Sequence, residues 1–152
     1  MIKNLLYALF LCIYVNGIYG CKKYYVIDTI KNDGHLIFKS NEILKICDGH
    51  VYVHSFGIEY IGKKEHRRAW RIVRKKRVSK EDASQDFPLK YGDKSPEFET
   101  SVEPMEILPG KYRISSDLAC YSGGNIRSLT LFGSFFIDAN NNLILDGDNS
   151  NE

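Results

Sequence analysis

Alternation of apolar and polar residues with period two runs through most of this 152-residue chain and limits its fold more than any other feature. Successive side chains of a strand point to opposite faces, so a chain written this way must bury one face of a sheet. Tyr24 to Thr29 is aromatic and β-branched, and His35 to Lys39 follows the turn residues Asn32-Asp33-Gly34. These read as two strands with a tight connection. Ile43 to Cys47 and His50 to His54 flank Asp48-Gly49, which predicts a hairpin with Cys47 near a strand end. After Ile58 to Ile61, the segment Arg68 to Arg74 places Trp70 and Ile72 on one face and Arg71, Val73 and Lys75 on the other, so Trp70 is expected in the core. Ser79 to Asp86 is polar and predicts a loop or a single helical turn. Pro109-Gly110 suits the centre of a type II turn feeding a strand at 111–114, and Ser122 to Asn125 reads as a flexible connection. Leu129 to Ile137 and Leu143 to Leu145 form a closing hairpin around an Asn-rich turn. About nine short strands with a turn signal roughly every ten residues predict an all-β fold, a single β-sandwich that is Ig-like or similar, with little helix. All four prolines fall between 88 and 109, which predicts a loop-rich middle region.

The first 20 residues differ in kind. Lys3 is followed by an uninterrupted apolar core from Leu5 to Val15, then Asn16-Gly17. The pattern predicts a signal peptide over 1–20 and one domain over 21–152. As a helix the core is only about 16 Å long, whereas a span needs about 20 residues. Gly20 suits cleavage but Ile18 does not suit the ordinary secretory site. Ile18-Tyr19-Gly20-Cys21 instead resembles a bacterial lipobox, with Tyr19 unusual in the middle place. That resemblance implies acylation of Cys21, and more than one acyl chain anchors a protein stably. The alternative is a Cys21 that is disulfide-bonded or free. Lys22 after the cysteine favours the outer membrane over the inner.

Cysteine number is consistent with the lipid. Cys12 would leave with the signal, so Cys21, Cys47 and Cys120 remain, an odd count for an oxidising compartment. Acylation of Cys21 leaves Cys47 and Cys120 to pair. His35, His50, His54 and His66 lack metal-site spacing; His50 and His54 alone share a strand face, so no metal and no cofactor is expected.

Charge is balanced overall, 21 Lys and Arg against 19 Asp and Glu, but unevenly placed. Ten basic residues stand against one acid from Lys63 to Lys80, and thirteen acids against five basic residues from Glu81 onward. A nucleic-acid stripe is one meaning of such a basic run, but export of the protein argues against it. A docking face for an acidic protein and a solvated surface near anionic head groups are the others. There is no G-x-S-x-G, no Gly-rich phosphate loop and no His-Glu-x-x-His. Glu97, Glu99, Glu103 and Glu106 lie in a Pro-interrupted stretch that gives no rigid cleft for paired carboxylates. The expected protein is therefore not an enzyme.

Several of these segments together resemble the small periplasmic lipoproteins of the type VI secretion immunity group. They are the strand ending in Cys47 with its Asp48-Gly49 turn, Trp70-Arg71-Ile72, Tyr91-Gly92 with Pro96, Ile107 to Tyr112, and Phe135-Phe136-Ile137. The basic stretch Arg74 to Lys80 departs from that pattern. The resemblance implies a lipid-anchored periplasmic protein that neutralises a toxin by plugging its active site, with a toxin or hydrolase as partner and no nucleic acid. Plugs of this sort use a few aromatic and Arg anchors inside a sealing rim. The candidate anchors are Tyr60, Arg67, Arg68, Arg71 and Arg74, or Tyr91 and Phe98. Other classes are an envelope binding module, such as a lysozyme inhibitor or assembly component, and a secreted hydrolase with an unfamiliar site.

Overall fold

Gly123 and Gly124 both take positive φ, 57° and 79°, the conformation that a two-residue hairpin turn requires of both central residues. The predicted flexible connection is thus a tight turn, and it sets the longest pairing of the molecule. In the computed structural model, which describes residues 25–47, 51–62, 65–76 and 86–145, β8 (Gly110–Ser122) and β9 (Asn125–Ile137) pair along their whole length. The other strands are β1 (Tyr25–Val26), β2 (Asp28–Asn32), β3 (His35–Lys39), β4 (Val51–Ile61), β5 (His66–Arg74), β6 (Leu89–Lys90), β7 (Phe98–Val102) and β10 (Leu143–Leu145), with one helix, α1 (Asn41–Ile46). The predicted signal peptide, Cys21, the Asp48-Gly49 turn and His50 lie outside the described residues.

The strands form two sheets. The larger has the order β1-β9-β8-β4-β5-β7, with β10 also on β9; the smaller is β2-β3-β6. The fold is an all-β sandwich, as the alternation predicts. Its division into seven and three strands differs from the nearly equal sheets of an immunoglobulin domain. Pro-containing segments 86–109 contribute only the short β6 and β7, in keeping with the expected loop-rich middle.

Ile27 carries the chain from one sheet to the other. Its amide donates to the Phe132 carbonyl at 3.0 Å, and its own carbonyl lies so close to Gly133 that a Cβ there would sit 2.7 Å away. Only glycine allows this approach. Between the sheets, Phe38 of β3 meets Phe56 at 5.1 Å and Phe135 at 6.2 Å, and Trp70 closes on Phe56 at 5.7 Å. Tyr112 stacks on Phe135 at 4.8 Å. Each such pair adds about 0.5–1.5 kcal/mol beyond the area it buries. Trp70 and Ile72 are both buried, as their shared face requires.

The predicted strand at Ile43 to Cys47 is instead α1 and its C-terminal cap. Ile43 and Cys47 are four residues apart, so one helical face buries both. Glu42 in the first turn and Lys45 in the last complement the helix dipole. Pro109-Gly110 also differs from the expected type II turn. Gly110 opens β8 at φ +148°, with the Tyr60 ring 2.5 Å from where a Cβ would stand.

Candidate functional site

One face of the seven-stranded sheet packs on the smaller sheet; on the other, Tyr52, Ala119 and Tyr121 form a separate buried cluster at one end, and the remainder is largely exposed. Strand register fixes what that open face displays. Across it run the rows Arg71, Gly57, Ser115, Phe132 and Val26; then Arg68, Glu59, Arg113 and Ser134; then His66, Ile61, Lys111, Phe136 and Ile144. Phe132 is 42% exposed, Phe136 39% and Val26 57%. A solvated sheet face normally alternates away from such residues, so an exposed set of two aromatics among four Lys and Arg side chains is the surface best suited to contact. Aromatic residues and Arg are the side chains that carry most of the energy in protein interfaces.

Of the predicted anchors, only Arg68 and Arg71 stand on this face. They border a shallow depression of about 140 Å³ over Gly57, with Glu59, Ser115 and Asp117. A Cβ at Gly57 would touch the Arg71 side chain and the Ser115 hydroxyl oxygen, both at 3.8 Å, so the missing side chain leaves that depression open. Tyr60 and Arg67 are on the opposite side of the sheet, at its end. The Arg67 guanidinium lies 5.4 Å from the Tyr60 ring centre, and that ring meets Tyr112 at 5.3 Å.

Arg74, Phe98 and Tyr91 are held by contacts within the protein, Phe98 buried and Tyr91 partly so. The Arg74 side chain is 5% exposed and pairs with Asp86, itself 6% exposed. Its Nε donates to the Val53 carbonyl at 2.9 Å, and its guanidinium lies 4.6 Å from the ring centre of buried Phe98. The expectation of an exposed basic run fails at Arg74, which points to the inner side and meets Asp86 there. The Tyr91 ring packs on Trp70 at 5.4 Å. Its hydroxyl donates a proton shared between the Ala69 and Met105 carbonyl oxygens, at 2.9 and 2.8 Å.

Burial, reinforced by the neighbouring Tyr112, pushes the Tyr91 phenol from 10.0 up to about 12. Burial raises Tyr112 as well. The folded state therefore holds the Tyr91 proton where the unfolded chain releases it. This contribution is fully present below pH 10 and is lost as pH rises from about 10 to about 12. Tyr91→Phe should make stability fall less steeply over that window, and should cost about 1 kcal/mol at pH 7 through two underused carbonyls. Urea unfolding of both proteins at pH 7, 10 and 12 checks this; equal slopes above pH 10 would contradict it.

Cys47 and Cys120 form the predicted disulfide, with Cα atoms 5.1 Å apart. Among the described residues no three His, Cys, Asp or Glu side chains come together as a metal site, and no helix is long and apolar enough to cross a membrane. Glu103 forms an exposed ion pair with Lys94 at 3.7 Å, and Glu97 approaches Arg74 at 3.7 Å. The residues that the sequence reading passed over are Val26, Lys111, Arg113, Phe132 and Phe136. A signal was available: from Thr130 to Ile137 both faces of the strand carry aromatics, whereas a half-solvated strand keeps them to one. No protein family, curated protein or solved structure matches the chain.

Proposed function

We propose that this protein is a lipid-anchored lipoprotein of the bacterial periplasm that works by contact rather than by turnover, most simply as an immunity protein that neutralises an antibacterial toxin. The open face of the larger sheet carries this reading, because its Arg68, Arg71, Arg113, Phe132 and Phe136 are the chemistry of an interface exposed to solvent. The cationic majority on that face calls for an acidic partner surface, whose attraction speeds encounter and fixes register. The disulfide supports an oxidising compartment, and it occupies two of the three cysteines that would follow signal removal, leaving Cys21 for acylation.

The test begins with the neighbouring genes and the membrane fraction. Mass spectrometry of the mature protein should find a diacylated or triacylated Cys21 at its N-terminus. The secreted toxin encoded beside this gene should form a stable complex with the protein and lose activity in it. Arg68→Glu with Arg71→Glu should weaken that complex at least 30-fold, the size of an interface hot spot of about 2 kcal/mol. An unmodified Cys21, a toxin that stays active in excess protein, or a complex indifferent to both reversals defeats the proposal.

A further inference from the structure

Strand β9 has two partners on its outer edge, and they do not meet. β1 runs parallel to it at Leu131 and Phe132, then leaves at Ile27 for the smaller sheet; β10 takes up pairing only from Phe135 to Ile137. The interruption at Gly133 and Ser134 is a notch of about 670 Å³, within the 300–1,000 Å³ range of small-molecule sites. Val26, Ile61, Phe132 and Leu145 give it apolar walls, and among the described residues Lys111, Arg113 and Asp28 are its charged lining. Thr29 also lines it. That residue is 2% exposed, and its hydroxyl oxygen is buried with no hydrogen-bond partner. A buried hydroxyl left unpaired costs free energy, and a bound ligand is one way to recover it.

We propose that this notch is a binding site for a small amphiphilic anion. The head group, a phosphate monoester or a carboxylate, sits against Arg113 and Lys111, and a short alkyl body lies along Val26, Ile61, Phe132 and Leu145. Each buried methylene contributes about 0.8 kcal/mol, so the tail sets affinity while the two cations select the head. Gly133 is part of the device, since a side chain there would strike the carbonyl of Ile27, which lines the notch, and the side chain of Ile114 in the core. The notch shares Arg113 and Phe132 with the face proposed to meet a protein partner, whereas Arg68 and Arg71 do not line it, so reversing those two tests the partner reading without touching the notch.

Hexyl phosphate is the probe, with inorganic phosphate as head without tail and hexyl glucoside as tail without charge. The chain from Lys22 to Glu152 is suitable material, since every described strand, the helix and the disulfide lie between Tyr25 and Leu145. Hexyl phosphate should saturate one site, with amide shifts concentrated at Val26, Thr29, Phe132, Ser134 and Leu145. Arg113→Gln, at an exposed position, should weaken it about tenfold or more, and Asp28→Asn should tighten it. Equal affinity for hexyl glucoside or for inorganic phosphate, shifts centred elsewhere, or an Arg113→Gln chain that binds as well as the parent overturns the proposal.

Discussion

Replacing Cys47 and Cys120 together by alanine is expected to lower stability by about 4 kcal/mol, read as a shift of the urea midpoint. The bridge closes 73 residues of chain, and constraining a loop of that length in the unfolded ensemble is worth about this much. Measured against the 5–15 kcal/mol typical of a domain, the loss is large. Both sulfurs are fully buried, so alanine avoids introducing an unpaired hydroxyl. The effect should be local before it is global. At six residues α1 is far below the length at which a helix holds by itself. It is kept in place by the buried Ile43, by the bridge from Cys47 to β8, and by Ser40, whose hydroxyl donates to the Val26 carbonyl at 2.9 Å. Without the bridge, the Leu44 and Cys47 amides, which bond to Ser40 and Ile43 carbonyls, should exchange with solvent sooner than the amides of β8 and β9. A loss under 1 kcal/mol, or uniform exchange across helix and strands, would contradict this account.

How far the sequence could be read follows from which contacts are local. Alternation along β8, β9 and the inner face of β5 is a property of the strand itself, so the all-β class and the burial of Trp70 were legible. The bridge was legible from cysteine number once Cys21 was set aside. Asp48-Gly49 misled because turn chemistry says nothing of what precedes it. Ile43 to Cys47 has apolar residues at both strand and helix spacings, and burial of Ile43 with Cys47 on one helical face is a tertiary outcome. The site was less legible than the fold. Which of the Arg residues between 67 and 74 face outward depends on a bulge where the β4 register shifts between Ile58 and Glu59, and one inserted residue reverses every side chain beyond it. The notch at Gly133 arises from strands more than 100 residues apart, and no window of sequence contains it.

Asp86→Ala should cost about 3–5 kcal/mol, more than removing almost any other surface-sequence carboxylate, because it strands the buried guanidinium of Arg74. The carboxylate has a second duty. Its Oδ2 accepts the Val53 amide at 2.6 Å beside the Arg74 contact, and the Asp86 amide donates to the Val51 carbonyl at 3.3 Å. One residue thereby fastens the chain after the basic run to the end of β4. Arg74 returns the contact through its Nε to the Val53 carbonyl and through its plane against Phe98. Arg74→Met alone should cost less than Asp86→Ala, since it leaves a carboxylate that still accepts the Val53 amide. The double variant Arg74→Met with Asp86→Leu is the informative one. If the cost comes from an uncompensated charge rather than from lost attraction, removing both charges recovers most of it, and the double-mutant cycle gives a coupling of about 2–3 kcal/mol. Strictly additive losses in urea unfolding would mean that the two side chains act independently, contrary to the geometry that joins them.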